Sequence, residues 1–422
     1  MPIELVLVTT FLAAVLVGIV VFYTGWNLLG ARTVQTKVRI TSTTLFDLAK
    51  LSFGVVAGAG ALVALIVAYR RQRIDEDGAL REATRLHTER FTTAVTQLAD
   101  DSAAVRLGGV HALAGLADDA PTRGLRQTCI DVLCAYLRLP HDAAQPLTAD
   151  AHSRHEQAMR EVRHTALRLI GDHLRLPAGK AHTWRGHDFD FTSVVFDAGD
   201  FSNAVFCGET TRFDKAVFSG GTVSFDGAVF SGSTTSFEEA VFSGGRVTFD
   251  GTEFSGKSTS FNKAAFSGAS VEFLRAQFRD GEVNLSGEFS AGSVHFVLAD
   301  FSGARVSFTG AEFSDSRVSF SEARFSGSTV TFGEAVPWGN HSMLISASFT
   351  GGSVSFDEAV FSRGGVLFGA AKFDGSRVDF NEAKFIGGTV DLSETTGQTP
   401  SGLPLQGTAL PDGLALPAAG DQ

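Results

Sequence analysis

The sequence predicts two transmembrane helices, a small α-helical domain and a long all-β solenoid, in that order along 422 residues. Three observations indicate this fold class. Two apolar stretches lie within residues 1–74, a helical hydrophobic period covers 75–176, and phenylalanine recurs at a fixed spacing across 188–394. A short internal repeat of this kind is typical of solenoids.

The segment 1–74 holds two stretches long enough to cross a ~30 Å hydrocarbon core. They cover about residues 3–29 and 51–69, and the basic run Arg70–Arg73 follows the second. Arginine is costly at the bilayer centre, so we expect the second span to end there. Because these arginines abut the span, the cysteines form no disulfide framework and no secretory signal is found, we predict a multi-pass cell-membrane protein with cytosolic C-terminal domains.

Gly54 and Gly58 form a G-x-x-x-G pattern within the second span. Small residues allow helix backbones to approach closely in lipid. Two interpretations remain open. The glycines pack on the first span of the same chain, or they form the contact face of a homo-oligomer.

The segment 75–176 has apolar residues at helical spacing, such as Phe91, Ala94, Val95 and Leu98. Its helices resemble HEAT- or armadillo-like pairs, and this resemblance implies a protein-interaction module. Residues 177–187 are predicted to form a linker and cap. Trp184 is expected to pack on the first solenoid coil, because an open solenoid end exposes strand edges.

In the segment 188–394 the steps between phenylalanines alternate between five and seven residues, which gives a period of twelve. Each unit has two blocks: Val223 precedes Phe225 by two positions, and Ala228 precedes Phe230 in the same way. This alternation predicts short strands with one buried face.

These blocks resemble pentapeptide-repeat proteins of a membrane-anchored, bacterial (actinobacterial) type. The resemblance implies a right-handed quadrilateral β-helix with the phenylalanines and alanines pointing inward. A four-sided coil of 24 residues is favoured over a flat coil of 12, since a flat coil leaves little room for a second packed layer. About eight coils at ~4.8 Å each then give a rod of roughly 40 Å.

The segment Val336 to Ser346 interrupts the period. It is interpreted either as an insertion loop at a corner or as a protruding contact loop that carries Trp338, His341 and Met343. The insertion loop is the simpler interpretation, and the contact loop is considered because loops on rigid scaffolds often carry binding residues. The Pro- and Gly-rich residues 395–422 are expected to form a disordered tail or a loose C-terminal cap.

Function is predicted from what the chain carries and lacks. The net charge is −11, and an acidic rod argues against direct nucleic-acid binding. We find no phosphate-binding loop, zinc-protease motif or nucleophile elbow, so we expect no enzyme activity and no cofactor. The histidines between 141 and 187 lack companion ligands at metal-binding spacing, so they are interpreted as solvated or packed.

The sequence therefore predicts a non-catalytic, membrane-anchored scaffold or interaction module that presents a rigid solenoid to an unknown protein partner. One alternative, implied by the family resemblance, is an acidic DNA-mimic rod that binds a topoisomerase or another DNA-binding protein. Basic residues within the rod weaken that alternative: Lys215, Lys263, Arg275 and Arg305. A second alternative is a membrane sensor or effector whose spans respond to ligand binding.

Overall fold

A computed structural model describes residues 12, 15–20, 22–24, 26–27, 42–139, 149–338, 341–404 and 410–417. The chain divides into two compact units, Met1–Leu86 and His87–Gln422. The long helices of the described residues are α1 (Ser42–Leu98), α2 (Ala103–Asp118), α3 (Arg123–Arg138) and α4 (Ala149–Arg175). A shorter apolar helix covers Val15–Thr24.

Helix α1 is longer than the sequence predicted. It continues for 57 residues and passes through Arg70–Arg73, where the second span was expected to end. The Arg, Gln, Glu, Ala and Leu residues after Tyr69 are good helix formers, so they end the apolar surface without ending the helix. Among the described residues, α1 is the one helix long and apolar enough to cross a membrane, and most of the predicted first span, 3–29, lies outside them.

The helices of the second unit pack closely on one another. A Cβ added to Gly109 of α2 would lie 2.7 Å from the backbone nitrogen of Leu98 in α1. Glycine is therefore required where these two backbones approach, and this offsets its low helix propensity. Leu113, Ile130 and Ile170 are fully buried in a hydrophobic core that continues from the helices into the solenoid.

The connection between α4 and the solenoid is fastened to the helices. Trp184 is fully buried, its ring stacks on that of His173 at 4.2 Å, and its Nε1–H donates to Asp118 Oδ1 at 3.0 Å. These partners lie on α2 and α4, and the indole belongs to the same hydrophobic core as Phe189 and Phe191 at the start of the solenoid. Helix α3 also holds this start, because its Gln127 donates to the carbonyl of Asp188.

The solenoid is a parallel β-helix of about nine turns with four columns of strands. Its parallel register links residues 24 positions apart, as for Phe206 with Phe230 and Phe230 with Phe254. The 24-residue, four-sided coil predicted from the sequence is therefore present, and the flat coil of 12 residues is wrong. Up to Lys384–Phe385, successive coils contribute one short strand to each of the four sides.

The strands are as follows, and four of them turn a corner and serve two sides. Side one holds Phe189–Asp190, Thr210–Arg212, Thr234–Ser236, Ser258–Ser260, Glu282–Asn284, Arg305–Ser307, the ends of Arg324–Thr331 and Val360–Leu367, Thr389–Asp391 and Leu414–Ala415. Side two holds Val195–Phe196, Val217–Phe218, Val241–Phe242, the starts of Ala265–Glu272 and Glu288–His295, Glu312–Phe313, Ser348–Phe349, Lys372–Phe373 and Thr396–Gly397. Side three holds Gly199–Asp200, Thr222–Ser224, Arg246–Thr248, the ends of Ala265–Glu272 and Glu288–His295, Arg317–Ser319, Ser353–Ser355 and Arg377–Asp379. Side four holds Val205–Phe206, Val229–Phe230, Glu253–Phe254, Gln277–Phe278, Asp300–Phe301, the starts of Arg324–Thr331 and Val360–Leu367, and Lys384–Phe385.

Four ladders of stacked phenylalanine rings fill the rod. The ring centroids of Phe237 and Phe261 lie 4.5 Å apart with their planes 2° from parallel, and the other ladders repeat this arrangement. Val223 and Ala228 are also buried, as the alternation predicted. Each buried phenylalanine contributes about 1.5–3 kcal/mol, so a stack of coils is stable where a single coil is not.

Two opposite corners of each coil are tight turns. At these corners the alanine N–H donates to the carbonyl of the phenylalanine three residues earlier, as from Ala323 to Phe320. The third turn residue has a positive φ, which glycine adopts without strain. Larger residues nevertheless occupy it at several coils, among them Lys263 (φ 55°) and Glu358 (φ 54°).

The C-terminal segment is attached to the end of the rod. Of the two forms expected for residues 395–422, a disordered tail or a loose cap, the second agrees with the pairing of Thr396–Gly397 and Leu414–Ala415 with the preceding coil. Leu414 is buried against the end of the core, so this apolar side chain joins the segment to the rod without the phenylalanine signal. Residues 405–409 and 418–422 lie outside the described part of the chain.

Candidate interaction surfaces

The break in the repeat is an antiparallel hairpin made of Gly333–Trp338 and His341–Ser346. It is inserted into one tight corner, and the Ala347 N–H still donates to the Phe332 carbonyl as at ordinary corners. Phe313 consequently pairs with Phe349, 36 positions later instead of 24. The rod thus accommodates the insertion without loss of its ladder, which leaves the hairpin free of any role in closing the coil.

The register of this hairpin groups the predicted contact residues. Trp338 pairs with His341, and Val336 pairs with Met343. Directly opposed residues share one face of a β-ribbon, as do residues two apart along a strand. The backbone therefore places Trp338, His341 and Met343 on one face, while their side chains, and residues 339–340, lie outside the described part of the structure.

A groove of about 690 Å³ lies between the helices and the first coils of the rod. Arg163 crosses its wall, is 8% exposed, and donates to the carbonyls of Leu137 (2.7 Å) and Val195 (3.2 Å). Burial lowers the pKa of this guanidinium. The two carbonyls belong to the last turn of α3 and to the first coil, so Arg163 joins three elements.

The acidic groups of this groove are paired. Asp197 accepts from His164 Nε2 and from Arg160 Nε, both at 2.8 Å. Burial raises the pKa of Asp197, but the hydrogen bond from His164 and the charges of His164 and Arg160 outweigh it and hold the pKa below its usual value. Arg138 forms an ion pair with Asp190 beside it. The groove is therefore a structural junction with matched charges, and its ionised groups are engaged in holding it together.

The buried cysteines are not prepared for nucleophilic chemistry. Burial raises the pKa of Cys129 to about 11 and that of Cys134 to about 12. The thiolate, which is the reactive form, is thus disfavoured at neutral pH. Within the part of the chain that the structure describes, no group of three or more His, Cys, Asp or Glu side chains is arranged to hold a metal ion.

Charges on the rod surface are partly neutralised between successive coils. Arg275 binds Asp250 at 2.5 Å, Arg305 binds Glu282 at 2.6 Å and Lys215 lies 3.7 Å from Glu239. Three of the basic residues noted in the sequence are therefore engaged with acidic neighbours. The acidic surface is interrupted along the axis of the rod and does not form one continuous stripe of carboxylates.

The glycine pair of α1 faces away from the shorter apolar helix. A Cβ on Gly18 would lie 2.8 Å from Cγ2 of Val56, so that helix approaches α1 near Val56. Successive helical residues are ~100° apart, which places Gly54 and Gly58 on the other side of α1. Nothing among the described atoms lies within 4 Å of a Cβ built on either glycine.

Sequence reasoning missed the residues that build the groove. Arg163 and Asp197 lie 34 positions apart, and their roles depend on how α4 meets the first coil. The sequence signal nearest to them is the valine–arginine pair that recurs at Val105 and Val162. Comparison of the chain with protein-family models, curated proteins and solved structures gives no match.

Proposed function

We propose that this chain is a non-catalytic, membrane-anchored scaffold of the pentapeptide-repeat type. Helix α1, together with the apolar segment before it, holds the chain in the cell membrane. The helical segment and the rod lie in the cytosol and present a rigid surface to a protein partner. The rod presents its surface to the protein partner at a fixed place, and the hairpin is the principal contact with that partner.

The observation that carries this proposal is the exposure of apolar side chains on α1. Phe53, Leu62 and Leu65 are 75%, 62% and 66% exposed, whereas the rod buries nearly all of its phenylalanines. A large contiguous apolar surface in water marks an interaction with membrane or protein. Its length in α1 matches a bilayer core, which favours lipid as the solvent of this surface.

The rod supports a presentation role through its regularity. Its inward positions are filled by ring ladders, and its coils are linked by a continuous parallel register. Such a solenoid is quasi-one-dimensional, because every coil contacts its two neighbours only. A hairpin fixed at one corner of such a rod is held at a set distance from the first coil of the rod.

The DNA-mimic alternative is less well supported. Mimicry of a duplex requires a regular array of uncompensated negative charge. The pairs Arg275–Asp250 and Arg305–Glu282 neutralise acidic groups along the rod. This alternative predicts inhibition of DNA supercoiling by the chain, and an unchanged supercoiling rate at high protein concentration excludes it.

The experiment that tests the scaffold replaces residues 333–346 with Asp-Gly, the length of an ordinary corner. Because the closing hydrogen bond from Ala347 to Phe332 is retained at this site, we expect the circular dichroism and melting temperature of the rod to be unchanged. In intact cells, chemical cross-linking of the full chain is expected to give discrete adducts with other proteins, and the replacement is expected to abolish them.

A matched control changes an ordinary corner of the same rod. Thr309 and Gly310 form such a corner without an insertion. Substitution of Thr309 by Asp makes the same Asp-Gly sequence there and is expected to leave the adducts intact. Adducts that persist without the hairpin, or that vanish equally in the control, contradict the proposed contact.

A further inference from the structure

Three arginines of α1 follow directly after its apolar stretch. Arg70, Arg71 and Arg73 come after residues 51–69, and the helix does not break between the two segments. At ~1.5 Å per residue the apolar stretch is about 28 Å long, close to the thickness of a bilayer core. The three guanidinium groups therefore start within about 6 Å of its end, at the depth of lipid headgroups.

These arginines are exposed and have no acidic partner. No carboxylate of the described residues lies within 4 Å of Arg70, Arg71 or Arg73. The other end of the apolar stretch is different, because Lys50 lies 3.8 Å from Asp47 and 5.3 Å from the ring centre of Phe46. Within the described part of α1, one end of the stretch is thus compensated and the other carries three free positive charges.

The order of basic and acidic residues along α1 orients the helix relative to a negatively charged membrane surface. Asp75, Glu76 and Asp77 begin two positions after Arg73, and Gln72 Nε2 donates to Glu76 Oε1 at 2.9 Å. A negative membrane surface attracts the basic turn and repels the acidic turn that follows it. With ~100° between residues, the arginines spread over about 160° of the helix circumference and reach more than one lipid.

We propose that Arg70, Arg71 and Arg73 bind the phosphate groups of anionic phospholipids on the face of the membrane from which the helical segment and the rod emerge. The planar guanidinium group matches phosphate oxygens in a bidentate geometry. This inference rests on the proposed membrane anchoring, and it assigns to that anchor a lipid class and a leaflet. Binding of this kind strengthens as the surface becomes more negative and weakens with salt.

The test uses the full chain in nanodiscs that contain phosphatidylcholine and phosphatidylglycerol. Lipids that remain bound after extraction are counted by native mass spectrometry for the natural chain and for R70Q/R71Q/R73Q. We expect the natural chain to retain phosphatidylglycerol preferentially at low salt, and the triple variant to lose this preference by roughly tenfold or more. Circular dichroism verifies that the variant stays helical.

A matched control, R81Q/R85Q/R90Q, removes the same number of charges from the same helix beyond the acidic turn, and it is expected to keep the preference. The proposal is overturned if the natural chain shows no preference, if the control loses it equally, or if inorganic phosphate displaces the bound lipid. Failure of the membrane anchoring itself gives a different result, because all three chains are then absent from the nanodisc fraction.

Discussion

The two halves of the rod share one interior and have different surfaces. In both halves the phenylalanine ladders repeat at the same spacing, with Phe249 4.7 Å from Phe273 and Phe356 4.7 Å from Phe380. Residues 189–285 also carry ion pairs between coils, such as Arg246 with Glu272 and Arg275 with Asp250. Among the described residues of 306–404, no ion pair is found, although six basic side chains lie there: Arg317, Arg324, Arg363, Lys372, Arg377 and Lys384.

The comparison indicates that the stacked phenylalanine rings stabilise the rod. Ion pairs between coils are not required for its fold. The second half keeps its register without them, even across the hairpin insertion. Under the proposed function, these charged side chains and the hairpin are the expected contacts of a partner. The first half contacts the helices, and several of its surface charges are paired between coils. The following predictions test this division, from the largest expected effect to the smallest.

Removal of one buried phenylalanine ring is expected to lower the free energy of unfolding by the same amount in both halves. Phe249 and Phe356 are fully buried members of the same ladder. Phe249→Ala and Phe356→Ala should each lower the free energy of unfolding by about 3–5 kcal/mol, as for other buried phenylalanines. The measurement is denaturant unfolding of the full chain in detergent, with hydrogen exchange to locate the opened coils. A large loss of stability for Phe249→Ala with little loss for Phe356→Ala would contradict equal packing in the two halves.

Acid is expected to loosen the junction at the start of the first half. Burial, with the nearby charges of Arg123 and Arg126, lowers the pKa of His187, so its protonation favours the unfolded junction. Stability contributed by neutral His187 is present above the unfolded value of about 6.5 and is lost as the pH falls below it. After correction for the intrinsic pH dependence of amide exchange, the protection of amides near Gln127, whose Oε1 lies 3.0 Å from His187 Nδ1, should fall several-fold from neutral pH to pH ~5.

The matched variant is His187→Gln, which keeps a polar group at this position without the titration. The protection of its junction amides, corrected for the intrinsic exchange rate, should stay constant across this pH window. At lower pH, protonation of Asp197 opens the same junction, because its lowered pKa gives stability that disappears as the pH falls through the folded value below 3.8. A second half that opens first under acid overturns this assignment.

Relief of backbone strain is expected to stabilise both halves. Lys263 in the first half and Glu358 in the second have φ values of 55° and 54° at tight corners. A left-handed backbone costs roughly 1–2 kcal/mol for residues with a Cβ, part of which glycine recovers. Lys263→Gly and Glu358→Gly should therefore raise the stability of the full chain by about 0.5–1 kcal/mol in thermal unfolding. A destabilising result in either half indicates that the side chain makes a contact outweighing the strain.

Loss of an ion pair between coils is expected to have the smallest effect. Arg246→Gln removes the 2.6 Å pair with Glu272 in the first half, and Arg317→Gln removes an unpaired charge on the same side in the second. An exposed pair contributes about 0–1 kcal/mol and is screened by salt. Arg246→Gln should make the melting temperature less dependent on salt concentration. Arg317→Gln should leave this dependence unchanged. Equal changes in both would show that the pair is not the cause.

The sequence predicted the interior of the rod well because the interior is periodic. Phenylalanine steps of five and seven residues report the period of twelve directly, and the room that two rings need in one coil favoured four sides over two. The hairpin was harder, although Gly339-Asn340 is a recognised two-residue turn signal between Val336 and Met343. Its strands were interpreted as a loop because this segment interrupts the phenylalanine period.

Other features depend on contacts that no local pattern reports. The uninterrupted α1 was missed because the apolar surface ends at Arg70–Arg73 while the helix continues through them. The contacts of Trp184 with His173 and Asp118 were not predicted, because these partners are 11 and 66 residues away in sequence. The paired groups of the groove likewise become visible only when α4 lies against the first coil.

The central claim is that a membrane anchor presents the rod to the cytosol. The most direct test is a protease-sensitive tag at the C-terminal end of the full chain, examined in intact and permeabilised cells after carbonate washing of the membranes. The account predicts that the chain stays in the washed membrane fraction and that the tag is cleaved after permeabilisation only. Cleavage of the tag in intact cells, or release of the chain by carbonate, contradicts it.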